Sequence, residues 1–262
     1  MRRMTTALPH RLERTVIIHA APEVVFRFFT DTARWAAWWG AGSTIDSRPG
    51  GALHIRYPEG TIAEGEVLEV HPPDRIVFTY GYASGQPIAA GASRITIRLE
   101  GNTSGTRLHL LHELADADVR DQHVQGWRYQ LSVFANVVAD EVNAGAAALV
   151  DAWFEAWRDA DADRRERTLA RIASSDIRFR DRFSNVAGLS DLVPHIGAYQ
   201  RFMPEMRIER SGDVHHCQGT LLVDWHAHGA DGQPRAHGTN VFALGTDGRI
   251  QSVTGFMTIP GR

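Results

Sequence analysis

The sequence contains no lysine: all 28 of its basic residues are arginine. Chemistry that runs through a lysine Schiff base is thereby excluded. There is one cysteine, Cys217, so no intrachain disulfide can form and a thiolate metal cluster is not expected. No apolar run approaches the length of a membrane span. An excess of positive charge is missing too: 28 basic residues face 31 acidic ones, a net charge of −3, so no basic stripe calls for a nucleic-acid partner. The first residues carry Arg2, Arg3, Arg11 and Arg14 without an apolar h-region, so 1–14 reads as a flexible tail and not as a secretory signal. A cytoplasmic protein without membrane or nucleic-acid partners is the expectation.

The 262 residues suffice for two ordinary domains, and 43% hydrophobic with 23% charged residues is a globular composition. The first half reads as a short strand at 15–20 and two short helices. Pro22 opens the first helix, and the second spans 32–39 with Gly40 closing it. Strands punctuated by Gly and Pro turns follow at 52–57, 61–70, 75–80, 94–100 and 106–112; consecutive hairpins imply an antiparallel sheet. Residues 118–143 form an amphipathic helix with His123, Trp127, Leu131 and Phe134 near one face. The alanine-rich stretch 144–148 is the boundary candidate, expected to be stiff and partly helical. Beyond it the order changes: a long helix at 149–172, a strand at 176–182, a helix capped by Ser190, then strands at 206–214, 219–228, 237–244 and 249–258. Helices first and strands last indicate a curved sheet wrapped around helices.

The run from Ala21, Pro22 and Glu23 to Asp31, followed by Trp35 and Trp38-Trp39-Gly40, resembles the START-like (SRPBCC) superfamily in its heat-shock ATPase activator branch. So do Pro49-Gly50-Gly51, the segments 65–70 and 72–80, and Gly126-Trp127. The resemblance spans 15–143. It implies a helix-grip fold, an antiparallel sheet closed by a long C-terminal helix around a cavity. Members use that cavity for ligand binding, for polyketide cyclisation or, in eukaryotes, alongside chaperone partnering. Candidate cavity residues are Trp39, His54, Tyr80, His112, His123 and Trp127. They have two readings: aromatics that simply fill a core, or a ligand site in which the three histidines handle protons.

Trp153 to Trp157, Asp176 to Asp181, Gly188 to Leu192, and Val241 to Leu244 with Asp247 to Ile250 are similar to SnoaL-like domains of the nuclear-transport-factor-2 superfamily. This resemblance covers 149–259. It implies a cone-shaped α+β barrel, so the expected fold class is α+β in two domains, 15–143 and 149–262, joined by 144–148.

Within the second half, Ile177, Phe179 and Asp181 alternate with Arg178, Arg180 and Arg182. Asp181 therefore points to the apolar side of its strand. Burial there raises a carboxylate's pKa, which suits a general base beside a carbonyl. The other reading is a strand-end aspartate capping loop N–H groups. The resemblance aligns Asp181 with the catalytic aspartate of ketosteroid isomerase, and Asn240 with that enzyme's oxyanion-hole acid. An amide is likewise a neutral donor. Trp153 stands where that enzyme has a tyrosine donor. Trp153, Trp157, Phe179, Tyr199 and Trp225 are expected to hold a flat apolar ligand, with no metal or cofactor.

His226 and His228 share one strand face. Simple hairpin pairing sets His228 opposite His237 and Trp225 opposite Asn240, with the histidines facing away from Asn240; a bulge at Gly238 would reverse this. The outer row Leu222, Asp224, His226 and His228 with Val241 and Ala243 is half apolar, which accommodates a homodimer. Three functions follow: a cofactor-free cyclase or isomerase using Asp181 and Asn240, a non-catalytic carrier of apolar ligands, and a chaperone partner.

Overall fold

A computed structural model describes residues 7–258. The chain divides into two compact units, one ending at Ala139 and the other beginning at Asp140. Each is a mixed α+β assembly.

In the first unit β1 (His10–Ile18) leads into α1 (Pro22–Arg27) and α2 (Thr32–Trp39). The strands β2 (Thr44–Ile45), β3 (Ala52–Arg56), β4 (Ile62–His71), β5 (Arg75–Tyr82), β6 (Ser93–Asn102) and β7 (Gly105–Leu114) follow, and α3 (Ala117–Val142) comes last. Every neighbouring pair in the seven-stranded sheet, ordered β1-β7-β6-β5-β4-β3-β2, is antiparallel. The start of β1 corrects the expected tail. Residues from His10 onward pair with β7, His10 opposite Leu114, and only residues 1–6 of the expected tail lie outside the described residues. The polar run misled because β1 is an edge strand, where charged side chains are ordinary.

Pro22 sits in the first turn of α1 and Asp31 caps α2 by accepting the Arg34 N–H. Gly40 ends α2 at φ 141, and a β-carbon there would fall 2.3 Å from the Arg56 carbonyl oxygen. Only glycine meets both demands. The core gathers Phe28, Phe29, Trp35, Trp38 and Phe134 in edge-to-face and tilted contacts; α3 also buries Leu131 and Val138, and its Trp127 packs against His112 of β7.

The second unit comprises α4 (Ala146–Arg158), α5 (Ala162–Ile172), β8 (Ala173–Arg180), β9 (Asn185–Ala187) and α6 (Leu189–Phe202). After these come β10 (Arg207–Cys217), β11 (Thr220–His228), β12 (Pro234–Leu244) and β13 (Ile250–Thr258). Its six-stranded sheet runs β10-β11-β12-β13-β8-β9, with β13 and β8 parallel. The expected single helix over 149–172 is two helices. Asp161 caps α5, its carboxylate accepting the Arg164 N–H at 3.0 Å, and Asp159 ends α4 while binding the Arg164 guanidinium. Arg165, buried, donates to the Asp159 carbonyl and to Gln200, and Gln200 donates to the Trp157 and Asp159 carbonyls. This clasp ties the α4–α5 turn to α6. The cap of α6 is also corrected: Gly188 is the N-cap and Ser190 lies inside the helix, with no side-chain cap.

The β11–β12 register differs from simple pairing by two residues. His226 lies opposite His237, Val223 opposite Asn240 and Trp225 opposite Gly238, with an irregularity at Ala227 and His228 where Pro234 joins the ladder. A shift of two preserves side-chain parity. Leu221, Val223, Trp225 and Ala227 are buried, while His226 and His228 lie on the other face. Among the described residues no single helix is long and apolar enough to cross a membrane.

Candidate functional site

The second unit encloses a cavity of about 490 Å3 between α4, α6 and the inner sheet face. Trp153, Trp157, Phe179, Tyr199 and Trp225 line it, as do Asp181 and Asn240. The structure therefore gathers all seven second-half candidates around one space. The alternation along β8 accounts for one wall: Ile177 and Phe179 are buried, Arg178 and Arg180 exposed. Asp181 stands one residue past the strand, half-buried, in a tight turn. Its N–H donates to the Ser184 carbonyl at 3.0 Å and its Oδ1 accepts the Phe183 N–H at 2.8 Å. The loop-capping reading of Asp181 thus describes one carboxylate oxygen of a residue that also faces the cavity.

Asn240, buried, accepts from the Trp225 indole at 3.1 Å through Oδ1. An indole N–H only donates, so the amide oxygen is fixed toward Trp225 and the NH2 group is the end left to donate. Between Asn240 and Asp181 lies Gly255. A β-carbon there would sit 3.1 Å from Asn240 Oδ1 and 3.2 Å from Asp181 Cβ. Asp181 and Asn240 thus pack closely on either side of Gly255, and both line the cavity.

Of the lining residues not found from sequence, two are titratable, His195 and Arg235. His195 lines the wall from α6, with Nε2 3.2 Å from Ser184 Oγ. Its ring stands edge-on to Trp157 and against Phe179. Its signal was its place four residues before Tyr199, on the same helical face. Arg235, ion-paired with Asp231 at 2.7 Å, lies at the edge of the cavity. Burial pushes the Tyr199 phenol up to about 12, so it remains a neutral donor. Phe183, Phe202 and Met203 also line the space yet are 65%, 85% and 47% exposed, forming an apolar mouth.

The first unit holds a cavity of about 610 Å3 lined by Trp39, Tyr57, Tyr80, Tyr82, His123 and Trp127, among others. His54 does not reach it. It lies opposite Glu64 on the sheet face away from the buried Leu53 and Ile55, 3.6 Å from the Glu64 carboxylate. His112 is fully buried beneath it, not lining it. The partners of His112 fix its tautomer: Nδ1 accepts the Trp127 indole N–H at 3.0 Å, so Nε2–H donates to Ser93 Oγ at 2.8 Å. Burial, with His123 nearby, lowers the His112 pKa to about 3. His123 is held the other way round: Nδ1–H donates to the Val119 carbonyl at 2.7 Å, leaving Nε2 to accept from the Tyr82 hydroxyl at 3.3 Å. Tyr57 and Tyr80 share a hydroxyl–hydroxyl bond of 2.9 Å, and burial raises both phenol pKa values. The expected trio of proton-handling histidines is thus dispersed, with one on the outside, one a neutral core residue and one on the wall.

The family model described as Activator of Hsp90 ATPase homolog 1-like protein matches residues 19–139. Among solved structures the chain is similar to a SnoaL-like family protein from Agrobacterium tumefaciens, at 25% identity over 43% of this chain and 96% of that one, TM-score 0.42. It is also similar to the Aha1 dimer from Colwellia psychrerythraea, at 16% identity over 49% and 96%, TM-score 0.44. CalU16 from Micromonospora echinospora matches at 24% identity over 50% and 76%, TM-score 0.40. No curated protein matches the chain.

Proposed function

We propose that the second unit is a SnoaL-type, cofactor-free enzyme of the cyclase or isomerase kind, acting on a flat, apolar ketone. The observation that carries this reading is that Asp181 and Asn240 both line a cavity walled chiefly by apolar side chains and pack on either side of Gly255, where a β-carbon would fall 3.2 Å from Asp181 Cβ and 3.1 Å from Asn240 Oδ1. Asp181 takes the proton from the carbon next to the carbonyl. The electron pair moves onto the carbonyl oxygen, and the Asn240 NH2 group donates to the oxyanion. Trp225 serves by holding that amide in the donating orientation.

The test is deuterium uptake at the α-carbon of α-tetralone in D2O, followed by mass spectrometry. Wild-type protein accelerates uptake, and Asp181→Asn lowers the rate roughly 100-fold or more while ligand affinity stays within a few-fold. Equal uptake with and without protein refutes the enzyme reading.

A second reading is a non-catalytic carrier of apolar ligands, favoured by the Phe183 N–H bond that occupies one Asp181 oxygen. It predicts tetralone binding that survives Asp181→Asn, with no uptake in wild type. For the first unit, the family match supports a chaperone-partner role. Pull-down with a chaperone and an ATPase assay tests that role. A homodimer through the outer sheet face is the proposed assembly, supported by exposed Leu222 and Phe256.

A further inference from the structure

We propose that the first-unit cavity is a binding site for an organic cation of the methylated ammonium type, received by its tyrosine and tryptophan rings. This space is separate from the one around Asp181, and neither reading depends on the other. The cavity, of about 610 Å3, is walled by Trp39, Tyr57, Tyr80, Tyr82 and Trp127, and the one carboxylate at it belongs to Glu59. No arginine is among the described lining residues, although the chain carries 28. Glu59 is exposed at the rim and has no ion-pair partner among the described residues.

The rings stand at steep angles to one another. Trp39 meets Tyr57 at 86° and Trp127 at 72°, with centroids 5.8 Å apart in both pairs, and Tyr80 meets Tyr82 at 72°. The space is thus bounded by ring planes of differing orientation, and each ring face carries the negative side of an aromatic quadrupole. Trp39 is 3% exposed, and its indole N–H has no hydrogen-bond partner among the described residues. A buried donor left unpaired costs stability that a phenylalanine would not. What the indole supplies instead is the ring face that attracts a cation most strongly.

The polar groups of the wall agree with this. Tyr57 and Tyr80 share their hydroxyl–hydroxyl bond, and burial is the chief cause that keeps both phenols neutral, with the Glu59 carboxylate a lesser contributor at Tyr57. The Tyr82 hydroxyl donates to His123 Nε2, which leaves its oxygen as an acceptor, and the Gln130 amide donates to the Trp38 carbonyl. A negative rim over a neutral, electron-rich wall repels carboxylates and phosphates. A primary ammonium would need an acceptor for each of its N–H groups, which a wall made mostly of rings does not provide. A methylated ammonium makes no such demand and is attracted by the ring faces directly. The volume leaves room for an organic substituent beyond the ammonium head.

The experiment titrates the full chain with choline and with its uncharged carbon isostere, 3,3-dimethylbutan-1-ol, following the indole N–H signals by nuclear magnetic resonance. Choline shifts the Trp39 and Trp127 signals saturably, with a Kd roughly tenfold or more below that of the isostere. Glu59→Gln, a change at an exposed side chain, raises the choline Kd roughly threefold and leaves that of the isostere where it was. Tyr57→Leu weakens choline binding roughly tenfold, whereas Tyr57→Phe, which keeps the ring, retains most of it. Protein grown on fluorinated tryptophan, whose rings keep nearly the same shape with weaker negative faces, loses affinity for choline and not for the isostere. Equal affinity for the two probes overturns the proposal, as does an unchanged choline Kd in the fluorinated protein. So does the lack of a saturable choline shift, or shifts confined to Trp153, Trp157 and Trp225 of the second unit.

Discussion

His112 shows how a buried imidazole becomes a liability in acid. Folded, it takes a proton only near pH 3, against an ordinary value of 6.5. The unfolded chain therefore binds a proton that the folded chain refuses between those values, and stability falls as pH falls through that window. Above the ordinary value both states are neutral and the group costs nothing. At about 1.4 kcal/mol per pH unit, urea unfolding at pH 4.5 should show roughly 2–3 kcal/mol less stability than at pH 6.5 from this group alone. His112→Gln, which keeps a donor and an acceptor for Ser93 and Trp127, should shed that part of the slope. Equal slopes in variant and wild type would assign the acid sensitivity elsewhere.

At the scale of elements, the break between α4 and α5 sets the wall of the second cavity. Asp161 starts α5, and the Arg165–Gln200 clasp carries the turn against α6, where His195 and Tyr199 stand. Asp161→Ala should lower stability by about 1 kcal/mol, read as a shifted urea midpoint with an unchanged slope. The break was not legible because residues 158–168 hold no Gly or Pro and include helix-favouring Ala, Arg and Glu, and capping by Asp161 is a local bond that periodicity does not register. The face of Asp181 was legible, since strand alternation has a period of two and needs no knowledge of the partner strand. The same parity kept His226 and His228 off the cavity although the register was misplaced by two residues. His195 was not legible: on an amphipathic helix a histidine between Leu192 and Tyr199 reads as another face residue, and its Ser184 partner is met only through the fold. The scattering of His54, His112 and His123 was hidden for a related reason, because a resemblance places residues near a cavity without saying which side of a strand they occupy.

For the whole molecule, the outer sheet face of the second unit leaves Leu222 and Phe256 44% and 61% exposed beside His226 and His237. A protein that pairs through this face should sediment at twice its chain mass of 29.1 kDa, and Phe256→Asp should return it to a single chain. Sedimentation as a single chain before any substitution would end that assignment. The opening at Gly255 has a bearing on how this molecule can change over generations. Every codon one base away from a glycine codon that encodes a different residue encodes one with a β-carbon. A single nucleotide change at this position therefore places an atom between Asp181 and Asn240, while the apolar walls and the mouth stay as they are. On the proposed reading of this cavity, the step from catalyst to carrier is one mutation long, and the fold itself does not stand in its path.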